Sequence, residues 1–304
     1  MPAKIILNPY SNRWGAGKKA PEVQRILTGL GYDFDLVQTE GPGHGVELAR
    51  EAVAQGFDPV VAAGGDGAIS EVVNGMVGEQ DRAGATLGVI PLGSANDYAY
   101  QLGIPTDLEA ACKLLTAAEH VRTLDLGRTN GRVFMNDVTM GLGAQVNVEA
   151  AKIKRLRGDA IYIAGAMKAI LKGRWPLARL EWDGGKMAKK RILLVYAGIG
   201  YRTGGVYFLT PDARQDDGLL DFAVADARSR LAVMRLLPRT FKGTHVDAPG
   251  VLMGRCTWMH IESDDPVPVL VDGELIATDA HELNLRVLPA AIQVISGATP
   301  GPRP

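Results

Sequence analysis

The sequence predicts an α/β domain, a parallel sheet with helices on both faces, followed by an all-β, sandwich-like domain. Three observations carry this. From residue 3 to residue 119, short apolar runs alternate with amphipathic runs of helical period, the pattern of a parallel sheet covered on both faces. Beyond residue 127 the texture changes to short β-rich runs split by Gly, Pro and Asp, the pattern of an antiparallel sandwich. The 304 residues suffice for two domains and a sizeable core.

Taken in order, 3–9 is a strand and 18–31 a helix that stops at a glycine. Strands follow at 32–40, 57–65 and 85–93, with helices at 45–56, 68–76, 95–103 and 107–119. In the β-rich part, strands are expected at 133–143, 178–184, 190–200, 205–211, 218–226, 256–263 and 267–276. Helices at 158–171 and 229–241 interrupt them. The run 282–295 reads as a strand returning to the first domain, and 297–304 (GATPGPRP) as a disordered tail. The expected division is 1–127, 128–283 and a return segment with tail, 284–304.

Composition narrows the function classes. The formal net charge is −1, so no basic surface marks a nucleic-acid binder. Cys112 and Cys256 lie far apart in no metal-like spacing, which fits a reducing compartment. The five histidines show no metal spacing either. The N-terminus enters a strand without a signal-like apolar region, and no apolar run could span a bilayer. A cytoplasmic protein is expected, touching membranes only from the side.

Two loops carry chemistry. GGDG, residues 64–67, joins a buried strand to a helix. Glycines there let backbone approach a ligand, and the helix N-terminus suits a phosphate; a tight βα turn bearing a carboxylate is the alternative. PLGSAND, residues 91–97, also follows a strand and opens a helix, with Asp97 31 positions after Asp66. Ser94 offers a hydroxyl to phosphate, while Asn96 and Asp97 also suit helix capping. Asn8, Thr39, Gly64 to Gly67 and Ser94 all fall at carboxyl ends of predicted strands, where ligands bind in such sheets. Asp272 and Glu274 of VDGE fall on one face if their strand continues, either towards the cleft or as solvated acids of a hairpin turn. DDGLLD, 216–221, reads as a turn before a strand.

GGDGAISEVVNG followed by PLGSANDYA resembles the diacylglycerol kinase catalytic-domain family, which includes bacterial lipid kinases and sphingosine kinases. NPYSNRWGAGK near the start, LDLG at 124–127, DDGLLD and VDGE extend the likeness over most of the chain. The resemblance implies an NAD kinase- and phosphofructokinase-like first domain and an ATP- and Mg²⁺-dependent transfer of phosphate to a lipid hydroxyl. It implies that Asn8, Thr39, Gly64, Gly65, Asp66, Gly67, Glu71 and Ser94 line the nucleotide. It further implies that Asp66, Asp97 and Asp125 organise magnesium, and that Asp217 with the carbonyls of Arg214 and Leu219 holds a structural Mg²⁺. Glu274 is the implied general base, with Asp66 the alternative and Asp272 the other catalytic candidate. The sequence departs from the family at Ala68, where a hydroxyl is usual, and at Tyr100, where bacterial diacylglycerol kinases usually have arginine. A soluble-substrate, NAD kinase-like enzyme and a non-catalytic nucleotide or lipid sensor are the competing readings.

Residues 151–175 concentrate Lys152, Lys154, Arg155, Arg157, Lys168, Lys172, Arg174 and Trp175 against Asp159 alone. Such a segment suits an anionic membrane surface, or else a solvated helix packed on the sandwich. The expected partners are thus a lipid substrate and a membrane surface, with no nucleic acid and a homodimer left open.

Overall fold

The computed structural model describes residues 2–153, 160–173 and 175–304. The first domain is the alternating β/α unit that the hydrophobic periodicity predicts. Strands β1 (Ala3–Leu7), β2 (Phe34–Gln38), β3 (Val60–Gly64) and β4 (Leu87–Pro91) pair in parallel in the order β2-β1-β3-β4. Helices α1 (Ser11–Gly29), α2 (His44–Ala54), α3 (Asp66–Met76), α4 (Asp97–Gln101) and α5 (Leu108–Ala117) connect them.

The period of two along β3 explains the layering. Val61 and Ala63 pack with Val23 and Leu27 of α1 and Leu115 of α5. Val60 and Ala62 pack with Ala49 of α2 and Ile69, Val72 and Val73 of α3. A sheet buried on both faces needs continuous apolar strands, and every residue of β3 and β4 is buried.

The second domain is β-rich. It comprises β5 (Val121–Thr129), β6 (Arg132–Phe134), β7 (Asp137–Gly141), α6 (Leu142–Ala151), α7 (Ala160–Lys172), β8 (Leu177–Trp182), β9 (Gly185–Gly198), β10 (Leu220–Asp226), α8 (Arg230–Thr240), β11 (Val251–Cys256), β12 (Trp258–Val271) and β13 (Glu274–Ile295). Its core gathers Phe134, Val138, Leu180, Val195, Phe222, Ile261, Val269 and Leu285. The 22-residue β13 leaves the hairpin with β12, runs antiparallel to β5, and ends with Val294 parallel to Leu87 of β4. Residue 127 lies within β5, and Leu124, Leu126, Leu288 and Ile292 join the core cluster of the parallel sheet.

Three local expectations are corrected. Residues 205–211 form a turn, not a strand: Gly204 and Gly205 take φ of 59° and 79°, and only an isolated bridge joins Thr203 to Tyr207. Helix α6 was hidden by the alternating apolar pattern of its sequence, QVNV at 145–148. The tail is ordered by specific contacts. Gly301 N–H donates to the Tyr100 carbonyl at 3.0 Å, the Tyr201 hydroxyl donates to the Gly301 carbonyl at 2.6 Å, and the Tyr100 hydroxyl to that of Pro302 at 2.8 Å. Its Gly and Pro content suggested disorder, but backbone groups tied to side chains hold such a segment equally well.

Candidate active site

The two glycine turns meet at the carboxyl end of the parallel sheet. A Cβ on Gly93 would stand 2.4 Å from the Gly65 Cα, and one on Gly65 3.0 Å from the Gly93 Cα. Here glycine is required by close backbone approach. Asn96, at φ 49°, closes the second turn on itself: its Oδ1 accepts from Gly93 N–H at 2.9 Å and its Nδ2 donates to the Gly93 carbonyl at 3.1 Å. Gly93→Ala is expected to push the turns apart, destabilising the fold by about 1–3 kcal/mol. Wild-type melting would refute this.

Asp66 opens α3, and its Oδ1 accepts the Tyr98 N–H at 3.0 Å, tying the first turn to the second. Asp97 is buried. Both its oxygens lie 3.0 Å from Gly205 N, and Arg202 Nη1 stands 3.2 Å from Oδ1. Burial, then the nearby charge of Asp66, pushes the Asp97 carboxyl up to about 6, against the pull of Arg202. The Arg202 guanidinium lies 4.0 Å from the Tyr100 ring centroid. A cation therefore does sit at this turn despite the tyrosine at position 100, brought in from the 203–207 turn region. Ala68 packs its methyl near Gly64, where an added Cβ would lie 2.5 Å away.

Glu274 reaches the same place from the second domain. A Cβ on Gly67 would meet its Oε1 at 3.1 Å. Arg132 Nη2 pairs with Glu274 Oε2 and lies 3.5 Å from Ser70 Oγ on α3. Asp272 does not share that face. Asp272 and Gly273, with φ of 48° and 80°, form the two-residue turn between β12 and β13, which is the hairpin geometry that favours Asp-Gly. The Asp272 side chain is buried and accepts the N–H groups of Met135, Asn136 and Asp137 at 3.1, 2.9 and 3.2 Å. It anchors the hairpin that presents Glu274; the expected continuous strand face is broken by the turn.

The remaining candidates separate into two groups. Asn8 and Thr39 stand just beyond β1 and β2; Asn8 Oδ1 accepts from Tyr10 N–H at 2.9 Å, and Thr39 Oγ1 is buried without a partner. Ser94 is exposed, with its hydroxyl 3.4 Å from Asn12 Oδ1. Of the three, the Ser94 hydroxyl is the one open to a ligand. Glu71 and Asp125 are already committed. Glu71 accepts the N–H groups of Gly43 and Gly45 at 2.8 and 2.9 Å, fastening the loop before α2. Asp125 accepts those of Gly218 and Ala290 at 2.7 and 2.8 Å, so it organises loops and has little room left for a metal. Asp217 Oδ1 accepts from Leu219 N–H at 3.2 Å, and the Arg214 side chain pairs with Asp216.

Sequence reasoning missed Ser11, whose hydroxyl accepts from Gly65 N–H at 3.3 Å, and also Asn12, Arg132 and Arg202. Asn12, Arg13 and Trp14 all take left-handed φ. The fragment NPYSNRWGAGK marked this stretch without singling out those side chains.

The donor set suits a nucleotide and a divalent cation. Asp66 and Asp97 are close enough for one to raise the other, with Arg202 the one cation paired to Asp97 among the described residues. Mg²⁺ favours one or two carboxylates with phosphate oxygens and water. No cage of three or more His, Cys, Asp or Glu side chains occurs among the described residues.

The glycine turns of an α/β domain thus meet a carboxylate brought from a β-rich domain, an arrangement that suits phosphoryl transfer. Residues 2–129 match the diacylglycerol kinase catalytic domain, and 136–296 the YegS C-terminal NAD kinase beta sandwich-like domain. The chain is 30% identical to the diacylglycerol kinase of Bacillus subtilis, over 90% of this chain and 89% of that one. It is likewise 30% identical to that of Staphylococcus aureus strain MRSA252, over 90% and 85%. The chain belongs to the diacylglycerol kinase catalytic-domain family. A crystal structure of a putative diacylglycerol kinase from Bacillus anthracis superposes with a TM-score of 0.78 at 24% identity, covering 98% of this chain and 97% of that one. An NAD kinase from Archaeoglobus fulgidus in complex with ATP shares the fold at 0.56 and 13%, over 99% and 96%.

Proposed function

We propose that this protein is an ATP- and Mg²⁺-dependent lipid kinase that transfers the γ-phosphate to the hydroxyl of a diacylglycerol-like lipid at an anionic membrane surface. The observation that carries this reading is Glu274 Oε1 lying across from Gly67, beside the N-terminal turn of α3. A phosphate seated on that turn meets N–H groups that have no intrahelical partner. An acceptor hydroxyl entering from the second domain lies between the phosphate and Glu274. As the oxygen attacks phosphorus, its proton passes to the Glu274 carboxylate, which Arg132 orients. Asp66 would hold Mg²⁺, with Asp97, already bonded to Gly205 N–H and Arg202, reaching it through water; the ion when bound would offset charge on the transferring phosphoryl group. A second, structural Mg²⁺ would use the Asp217 carboxylate with the carbonyls of Arg214 and Leu219. Asp217 has no ion-pair partner among the described residues, and Asp221 Oδ2 is buried and unpartnered.

The test is transfer of labelled γ-phosphate from ATP–Mg²⁺ into a total lipid extract, with diacylglycerol, sphingosine and NAD as separate acceptors. Labelled organic-soluble product is expected. Label in NADP alone would replace the lipid by a soluble acceptor. Asp66→Asn is expected to require more Mg²⁺ for half-maximal turnover; an unaltered titration removes Asp66 from the metal site.

Of the basic segment 151–175, Lys154, Arg155, Arg157 and Arg174, with Asp159, lie outside the described residues. Lys152 and Lys172 pair with buried Glu149 at 3.0 and 2.6 Å, an acid from α6 that the sequence window excluded. Lys168 is exposed, and Trp175 is half-buried against Ile170 and Leu193. Among the described residues, free positive charge in this segment is therefore smaller than its sequence suggests. No helix among the described residues is long and apolar enough to cross a membrane.

A further inference from the structure

Helix α8 turns an apolar stripe outwards. Leu231, Met234, Pro238 and Phe241 recur at helical spacing, on one face. Such a stripe ordinarily faces a core. Here Leu231 is 56%, Met234 47% and Phe241 42% exposed, and Pro238 is exposed as well. The opposite face is the one that packs: Val233 is buried with Ile170, Leu193 and Ala225.

The charge along the helix and the residues next to it has one sign. Residues 227–246 contain Arg228, Arg230, Arg235, Arg239 and Lys242 and no Asp or Glu. Arg230, Arg235 and Lys242 are exposed and form no ion pair among the described residues. Helix α7 continues the surface. It packs against α8, and its Met167, Lys168 and Leu171 are exposed. The two helices meet where a Cβ on Gly173 would lie 3.6 Å from the Arg230 guanidinium.

The surface adjoins the candidate active site. The Thr240 carbonyl accepts from Phe208 N–H at 2.9 Å, and the Tyr207 ring stacks on Phe241 with centroids 5.0 Å apart. Two residues before Tyr207, Gly205 N–H reaches the Asp97 carboxylate. Between them Val206 is half exposed.

We infer that α8, with the exposed face of α7, docks the protein on an anionic lipid bilayer, inserting Leu231, Met234 and Phe241 among the headgroups while Arg230, Arg235 and Lys242 meet anionic lipid. An amphipathic surface with cations beside its apolar residues is built for that interface. A second copy of the chain would set like charges against each other across a two-fold axis; an anionic leaflet is complementary. Docking in this orientation brings the bilayer to the 203–208 turn, whose Gly205 touches Asp97. It rests on the lipid-kinase reading only for what is delivered there.

The experiment is flotation of the full chain with phosphatidylcholine vesicles and with vesicles that also contain phosphatidylglycerol, at low and raised salt. Leu231→Glu with Met234→Glu is expected to lower partitioning at least about tenfold on anionic vesicles. Arg230→Gln with Arg235→Gln is expected to lower it roughly fivefold or more per charge at low salt, an effect that fades as salt rises. Leu30→Glu, a control at an exposed leucine after α1, is expected to bind as wild type. Wild-type partitioning by both double variants overturns the inference. So does a loss of self-association, read by sedimentation, with vesicle binding intact, because the stripe would then be an interface between copies. Turnover of a short-chain acceptor in the absence of vesicles is measured alongside. Its absence in the wild type defeats the kinase reading and leaves the flotation result to decide the docking face.

Discussion

Glu274→Gln leaves ATP affinity near wild type and lowers turnover by about 10²–10⁴-fold, the range for loss of a general base. The amide keeps the shape of the side chain and can still bond to Arg132, so the hairpin and the pair with Arg132 survive. It lacks the basicity to take a proton from an alcohol as phosphorus is attacked. In the proposed mechanism ATP is held by the glycine turns and the strand ends, none of which Glu274 supports by a hydrogen bond. The effect therefore belongs in kcat and not in nucleotide affinity. Single-turnover transfer from labelled ATP, with equilibrium nucleotide binding measured beside it, separates the two. Unchanged turnover removes Glu274 from the mechanism and returns attention to Asp66. Arg132→Gln tests the support of the base: turnover falls, by less than for Glu274→Gln, because the carboxylate remains but is no longer oriented.

The parallel half was legible because its signals are local. Each strand is a short apolar run, each helix has its own period, and glycines mark the turns where backbones touch. The β-rich half was less legible where long-range contacts override local pattern. Residues 205–211 look like a strand, yet consecutive positive-φ glycines and the demand of Asp97 for backbone N–H groups make them a turn. Asp272 and Glu274 look alike in sequence, but a two-residue hairpin sends one into the interior and leaves the other beside Gly67. Arg132 and Glu274 are 142 positions apart, and no single-sequence periodicity reports such a pair. The same holds for Arg202, which reaches Asp97 and Tyr100 from a distant turn.

A row of buried acids gives the fold an unusual dependence on pH. Asp137 accepts the hydroxyls of Thr203 and Thr139 at 2.8 and 3.1 Å, and burial followed by the charge of Asp272 pushes its carboxyl up to about 7. Burial pushes Asp272 up to about 6 despite its three backbone donors, and Asp97 stands at about 6. Unfolded aspartates titrate near 3.9. Between about pH 4 and pH 7 the native state therefore binds more protons than the unfolded state, and its stability falls as pH rises. The contribution is complete below the unfolded value and is lost through the folded values near 6 and 7. On the acid side, Glu149, held down to about 2 by Lys172 and Lys152, and Asp81, lowered first by its Arg286 hydrogen bond, lose their contribution as pH falls. The melting temperature is thus expected to peak near pH 5 and to decline towards pH 8. Asp137→Asn keeps a side-chain oxygen for Thr203 and cannot ionise. It is expected to flatten the decline and to melt above wild type at pH 8, where the native carboxylate is charged and buried. Parallel wild-type and variant curves from pH 5 to pH 8 would show that Asp137 does not set the slope.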